Sequence, residues 1–133
     1  MNPIEVAAAL IFRQGKLLIT QRHPQAHLGG LWEFPGGKRE TGETFEHCLA
    51  RELEEELGVE VDILGEIESV THEYPEKIVH LKFFRCVLNK NEPKRLGCPD
   101  FRWITREQLA HYAFPAADAR LVSRLQQSAE LWR

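Results

Sequence analysis

Apolar positions crowd the start of the chain and then recur with two different periods. Residues 4–13 are apolar and tolerant of extended backbone, Gln14-Gly15 marks a turn, and residues 16–22 resume the pattern. This predicts a hairpin feeding a buried sheet. Residues 23–31 hold Pro24, Gly29 and Gly30 and read as a loop. Trp32-Glu33-Phe34-Pro35-Gly36-Gly37 reads as a short extended piece ending in a tight turn. The period then changes: Leu49, Leu53 and Leu57 recur at i, i+4 and i+8, with Ala50 beside them, which is one apolar stripe of a helix. Thr44 is placed to cap that helix, predicted over 44–57, and Gly58 follows it as a terminating glycine. Residues 59–70 and 77–88 read as strands, the second rich in aromatics, and 89–99 as a polar loop. Residues 101–104 read as a short strand, and Thr105 can cap a short helix through Tyr112. After Phe114-Pro115 a final amphipathic helix is predicted to carry Leu121, Val122, Leu125 and Leu131. Strands on both sides of a central helix, with another helix at the end, predict an α/β sandwich, a mixed sheet packed between helices.

A chain of 133 residues fits one domain, 1–133, large enough to bury a core without disulfides or a structural metal. The net charge of −3 argues against a polymeric nucleic-acid partner, but a local group of Arg and Lys still permits a small anionic substrate. Cys48, Cys86 and Cys98 are odd in number and stand at unrelated spacings, so neither a disulfide framework nor a CxxC site is expected. The apolar run 6–12 is too short to span a bilayer and follows Glu5 rather than a basic segment. A cytoplasmic protein with no membrane partner is the expectation.

The helix 44–57 carries the chemistry. Glu52, Glu55 and Glu56 stand at i, i+3 and i+4, which puts their carboxylates on one side, flanking the leucine stripe. Such like-charge pairs cost roughly 0.2–0.5 kcal/mol each, and at a helix C-terminus they also oppose the dipole. A divalent cation would turn that repulsion into coordination, and Mg²⁺, hard and oxygen-seeking, suits carboxylates shared with phosphates. A solvated acidic face with Arg51 as local counter-charge is the alternative for such a run taken alone. Upstream, Gly36-Gly37 lets the backbone turn tightly and approach a metal or phosphate without side-chain interference.

These segments form a longer pattern. Gly37, five residues, Glu43, seven residues, then Arg51-Glu52-Leu53-Glu54-Glu55-Glu56-Leu57-Gly58-Val59 resembles the signature box of the Nudix hydrolases at every defined position. Trp32 through Lys38 and the order of elements along nearly the whole chain are similar to the mutator-type (MutT-like) nucleoside triphosphate pyrophosphohydrolases of that family. The resemblance implies a Nudix α/β/α sandwich and a Mg²⁺-dependent enzyme, with Mn²⁺ able to substitute. It would release a nucleoside monophosphate and pyrophosphate, with 8-oxo-dGTP as the first candidate substrate, and act as a monomer or weak dimer.

The resemblance also implies roles. Glu52, Glu55 and Glu56 supply metal carboxylates together with the carbonyl of Gly36, and Glu52 or Glu55 is the general base. Arg51 orients these carboxylates or Glu43 through a two-point bond, with Glu43 a brace rather than a ligand. Arg22, His27, Glu33, Phe34, Pro35, Gly36, Lys38 and Asp118 are the candidate substrate contacts. For His27 a solvent-facing loop position is the other reading, for Lys38 a solvated surface position, and for Phe34 a place in the core. Two positions depart from the pattern. Arg102 stands before Trp103 where the mutator-type prototype has a further glutamate; Asp100 lies two residues earlier, which displaces it by roughly 7 Å along a strand. Asp118 stands where the prototype has a base-reading asparagine. An ionised aspartate only accepts, which suits an exocyclic amine such as that of cytosine, and reads an 8-oxoguanine carbonyl only if protonated or helped. The alternatives are therefore a CTP or 5-methyl-dCTP pyrophosphohydrolase, or a non-catalytic nucleotide-binding module, and for Asp118 itself a helix N-cap without substrate contact.

Overall fold

The structure is a computed structural model that describes residues 2–133. Its strands are β1 (Ile4–Arg13), β2 (Lys16–Gln21), β3 (Trp32–Glu33), β4 (Gly36–Lys38), β5 (Glu60–Tyr74), β6 (Lys77–Lys90) and β7 (Phe101–Ile104). The helices are α1 (Phe45–Leu57) and α2 (Ala119–Gln127), with 3₁₀ turns at Glu107–His111, Ala116–Asp118 and Ala129–Trp132. The predicted α/β sandwich is the observed architecture.

β1 is the axis of the sheet. It runs parallel to β6 from Ile4↔Val79 to Ile11↔Cys86. Its other edge is shared, with β4 opposite Val6, Ala7 and Ala8 and β2 opposite Phe12 and Arg13. Because Ala7 to Phe12 alternate between two covered faces, the strand reads as a continuous apolar run instead of an alternating one. Ala7, Ala9 and Ile11 pack with Leu49, Leu53 and Leu57 of α1. Ala8, Leu10 and Phe12 pack with Leu121 and Leu125 of α2 on the opposite face. Each fully buried leucine contributes about 1.5–3 kcal/mol by leaving water.

The limits of α1 follow from its caps. Thr44 Oγ1 accepts from the His47 amide at 3.0 Å, and Gly58 closes the helix at φ 69° with its amide on the Glu54 carbonyl. The left-handed conformation at Gly58 is one that a side chain would strain. Thr105 also caps as expected, in a reciprocal box with Gln108 (3.3 and 2.9 Å), although the turn that follows is 3₁₀.

The final helix departs from expectation. It ends at Gln127, and Leu131 lies in the separate 3₁₀ turn Ala129–Trp132. Ser128, at φ −116° and ψ 82°, breaks the helix and lets Trp132 turn back to donate from Nε1 to the Leu125 carbonyl at 2.9 Å and meet Phe12 edge-on. Leu131 still packs on the core, which is why its spacing read as helical. β5 is also longer than expected, running on to Tyr74 in a hairpin with β6 and bending at three register shifts. No helix among the described residues is long and apolar enough to cross a membrane.

Candidate active site

α1 lies against β1 and β4, so its acidic side meets the Gly36-Gly37 strand at close range. A Cβ on Gly37 would overlap the Glu52 carboxylate, and one on Gly36 would overlap the Ala7 carbonyl. Gly37 is what allows helix and sheet to approach so closely, and Gly36 lets β4 lie tight against β1.

Arg51 organises this side of the helix. It grips Glu43 at two points, Nε to Oε2 at 2.7 Å and Nη2 to Oε1 at 2.9 Å, as anticipated for that pair. Its Nη1 donates to Glu52 at 3.0 Å and to Glu55 at 3.4 Å, and its Nη2 also reaches the Lys38 carbonyl at 3.2 Å. The Arg51 hydrogen bond holds the Glu43 carboxyl down at about 2 and raises the guanidinium further above its ordinary range. Glu43 is thus fully committed to bracing.

The three helix glutamates share a side but not one environment. The Glu55 side chain is 61% exposed, whereas that of Glu52 is 22% exposed and pushed up by burial. Glu56 is raised furthest, to about 8, first by burial and then by the charge of Glu33. Glu33 itself is raised by burial, against the pull of Arg22 at 2.6 Å. Among the described residues, no three His, Cys, Asp or Glu side chains already stand as a closed metal cage. The donor set nevertheless fits a hard divalent cation: oxygen ligands only, two of the helix carboxylates held reluctant to ionise, and no cation paired with Glu56.

Across Gly36-Gly37, on the α2 side of the sheet, a cleft of about 230 Å³ opens. Ala8, Val79, Leu81 and Phe83 form its apolar floor. Phe34 is both wall and core, stacked on Phe114 (5.1 Å between centroids) and edge-on to Phe83. Of the expected substrate contacts, Arg22, His27, Glu33, Phe34, Gly36, Lys38 and Asp118 all line the cleft. Pro35 does not: it is buried, and its carbonyl accepts from the Ala9 amide at 2.8 Å, which ties it to β1.

Arg22 is partly committed, donating to the His27 carbonyl at 2.7 Å as well as to Glu33. His27 is more than a loop histidine in solvent, since Nδ1 faces Glu76 at 3.1 Å and the ring meets Tyr74 edge-on. Asp118 does not cap α2 through its side chain; it is 4% exposed and faces the cleft. Burial, reinforced by the charge of Glu33, pushes it up to about 7. Lys77, which the sequence did not single out, lines the cleft near Lys38 and Arg22, and burial and those two cations lower it. Only its place at the strand's first residue, after the Pro75-Glu76 turn, hinted at this position.

The late-strand departure has a structural form. Arg102 stands opposite Ile19, on the α2 side of the sheet, with its guanidinium over Trp32. Asp100 accepts from the Phe101 amide at 2.9 Å and from Arg102 at 3.2 Å, so both its oxygens are engaged.

Comparison with known proteins agrees with this arrangement. The CTP pyrophosphohydrolase of Escherichia coli K12 is 38% identical over 127 residues, spanning 92% of this chain and 90% of that protein. The 8-oxo-dGTP diphosphatase of Haemophilus influenzae is 41% identical over 127 residues, with the same shares. The crystal structure of MutT protein from Methanosarcina mazei Go1 superposes with a TM-score of 0.83 at 25% identity, covering 95% of each chain. The NUDIX domain model matches residues 7–124, which take in most of β1, Gly36-Gly37, the whole of α1 and Asp118, and the chain belongs to the NUDIX domain family.

Proposed function

We propose that this chain, as one domain over residues 1–133, hydrolyses nucleoside triphosphates to a nucleoside monophosphate and pyrophosphate, with 8-oxo-dGTP as its leading substrate. The observation that carries this reading is the meeting of the acidic helix and the apolar cleft across Gly36-Gly37. A nucleoside in the cleft extends its phosphates past Lys38 toward α1. The relatives named for 8-oxo-dGTP and CTP hydrolysis support the same class of reaction.

Glu52, Glu55, Glu56 and the Gly36 carbonyl would hold Mg²⁺, or Mn²⁺ in its place. The ion, when bound, supplies charge neutralisation at the diphosphate and acidifies a water. Arg51 keeps Glu52 and Glu55 extended toward one nitrogen, and one of these two takes the proton of the attacking water. Arg22, Lys38 and Lys77 lend local positive charge to a chain of net charge −3, which favours a phosphate chain entering from solvent. The substrate is a free nucleotide, not a polymer. Action in the cytoplasm as a monomer or weak dimer, without a membrane partner, completes the reading.

Asp118 decides the base. Held near 7, its carboxyl keeps a proton below that pH and donates to a carbonyl such as those of 8-oxoguanine. Ionised, it accepts from an exocyclic amine, and that favours the second reading, hydrolysis of CTP or 5-methyl-dCTP.

The test is pyrophosphate release with Mg²⁺ from 8-oxo-dGTP, dGTP, CTP, 5-methyl-dCTP and ADP-ribose, with Glu56→Gln as control. Preference for 8-oxo-dGTP that disappears in Glu56→Gln supports the reading, and preference for the cytosine nucleotides promotes the second. No turnover of any of them overturns catalysis and leaves a nucleotide-binding module.

A further inference from the structure

Thr20 is the polar exception at the end of an apolar strand. Leu17, Leu18 and Ile19 precede it in β2, all fully buried, and Thr20 is as completely buried as they are. Among the described residues its Oγ1 has no hydrogen-bond partner in good geometry. An orphaned buried hydroxyl is costly, and a valine of nearly the same shape would avoid the cost, so the hydroxyl calls for an explanation.

Its surroundings supply one. Leu18 and Thr20 face the α1 side of the sheet, because Leu18 packs in the cluster of α1 while Leu17 and Ile19 pack in the other. Thr20 stands opposite Glu33 in the β2–β3 register, so the two side chains share that face. The Glu56 carboxylate lies beside the hydroxyl, close enough to feel it, though not in hydrogen-bond geometry. Glu52 and Glu55 have Arg51 to orient them; among the described residues no cation pairs with Glu56. The Gly36 backbone also lies beside Glu56, and among the described residues the side-chain donor left unspent there is the Thr20 hydroxyl.

We infer that Thr20 is a positioning residue whose hydroxyl donates to the Glu56 carboxylate when that carboxylate takes up a divalent cation, fixing the oxygen that faces the ion. This rests on the reading of Glu56 as a metal ligand. A partner of this kind, acting through a ligand, is typically worth about tenfold or more in metal affinity.

The experiment is titration of metal-free protein with Mn²⁺, without nucleotide, followed by the loss of the free-ion paramagnetic resonance signal. It compares wild type with Thr20→Val, Thr20→Ser and Glu56→Gln, with thermal melting of each metal-free form. The expected result is weaker Mn²⁺ binding by about tenfold in Thr20→Val, recovery in Thr20→Ser, and metal-free melting of Thr20→Val at or above wild type. Wild-type Mn²⁺ affinity in Thr20→Val, with Glu56→Gln impaired, overturns the role of Thr20 and leaves Glu56 as ligand. Unchanged affinity in Glu56→Gln overturns the ligand reading and the inference with it. Metal-free melting of Thr20→Val well below wild type overturns the inference in favour of packing.

Discussion

Arg51 and Glu43 lie eight residues apart and close a two-point fork, 2.7 and 2.9 Å, that ties the middle of α1 to the turn before the helix. The same guanidinium reaches Glu52 and Glu55, so one residue sets the geometry of three carboxylates. Lysine carries the charge but not the fork. Arg51→Lys is expected to lower pyrophosphate release by about 10–100-fold, as loss of a group that orients ligands does. Steady-state assay at saturating Mg²⁺ checks this, and activity near wild type would show that the fork serves stability alone. The fork also has an acid limit. Glu43, depressed from 4.5 to about 2, contributes stability above pH 4.5 that is lost as pH falls toward 2. Glu43→Gln should lack that part of the acid transition.

Glu56 titrates with the opposite sign. Its carboxyl is raised from 4.5 to about 8 in the folded chain, so the stability tied to its neutral form is complete below pH 4.5 and is lost as pH rises through 8. Metal-free wild type should lose on the order of 2 kcal/mol relative to Glu56→Gln between pH 5 and pH 9, after allowance for partial exposure. Divalent metal should restore it, more at pH 8 than at pH 6. Parallel melting curves of wild type and Glu56→Gln across that range, with and without Mg²⁺, would contradict this placement of the carboxyl.

Much of this frame was legible in the residues because local chemistry marks it. Thr44 and Gly58 bound α1 through their own caps, and residues 101–104 form the predicted strand. The same-side spacing of Glu52, Glu55 and Glu56 follows from helical period. What each glutamate meets does not follow, since Arg51 gathers two of them from within the helix while Glu33 and Thr20 approach the third from β3 and β2 of the facing sheet. Asp118 was readable as a cap or as a base contact; the 3₁₀ turn Ala116–Asp118, its Ala117 amide bonded to the Tyr74 hydroxyl at 3.1 Å, turns it to the cleft. Lys77 joins the cleft beside Lys38 through the parallel β1–β6 and antiparallel β1–β4 pairings, long-range contacts that no local pattern encodes.

Lys77 gives a test of the cleft separate from the glutamates. It adds charge near the path of the phosphates without touching α1, so its loss should weaken binding more than turnover. Lys77→Ala is expected to raise KM by about tenfold with kcat little changed, the effect growing as salt is lowered. A fall in kcat at unchanged KM would place Lys77 in the chemical step instead.

Asp118 provides the sharpest discrimination between the two substrate readings. With its carboxyl raised from 3.8 to about 7, the wild-type cleft presents a donor at pH 6 and an acceptor only at pH 8.5. The ratio of kcat/KM for 8-oxo-dGTP over CTP should therefore fall by about an order of magnitude across that interval, the size of one mismatched hydrogen bond. Asparagine both donates and accepts at every pH, so Asp118→Asn should hold the ratio constant. It should also be the more stable protein at pH 8.5, where the wild type buries a charge. The stability that Asp118 contributes in its neutral form is complete below pH 3.8 and lost as pH rises through 7. A ratio that swings equally in wild type and Asp118→Asn would mean that another group reads the base, with Glu33, paired to Arg22 at the same wall, next to be substituted.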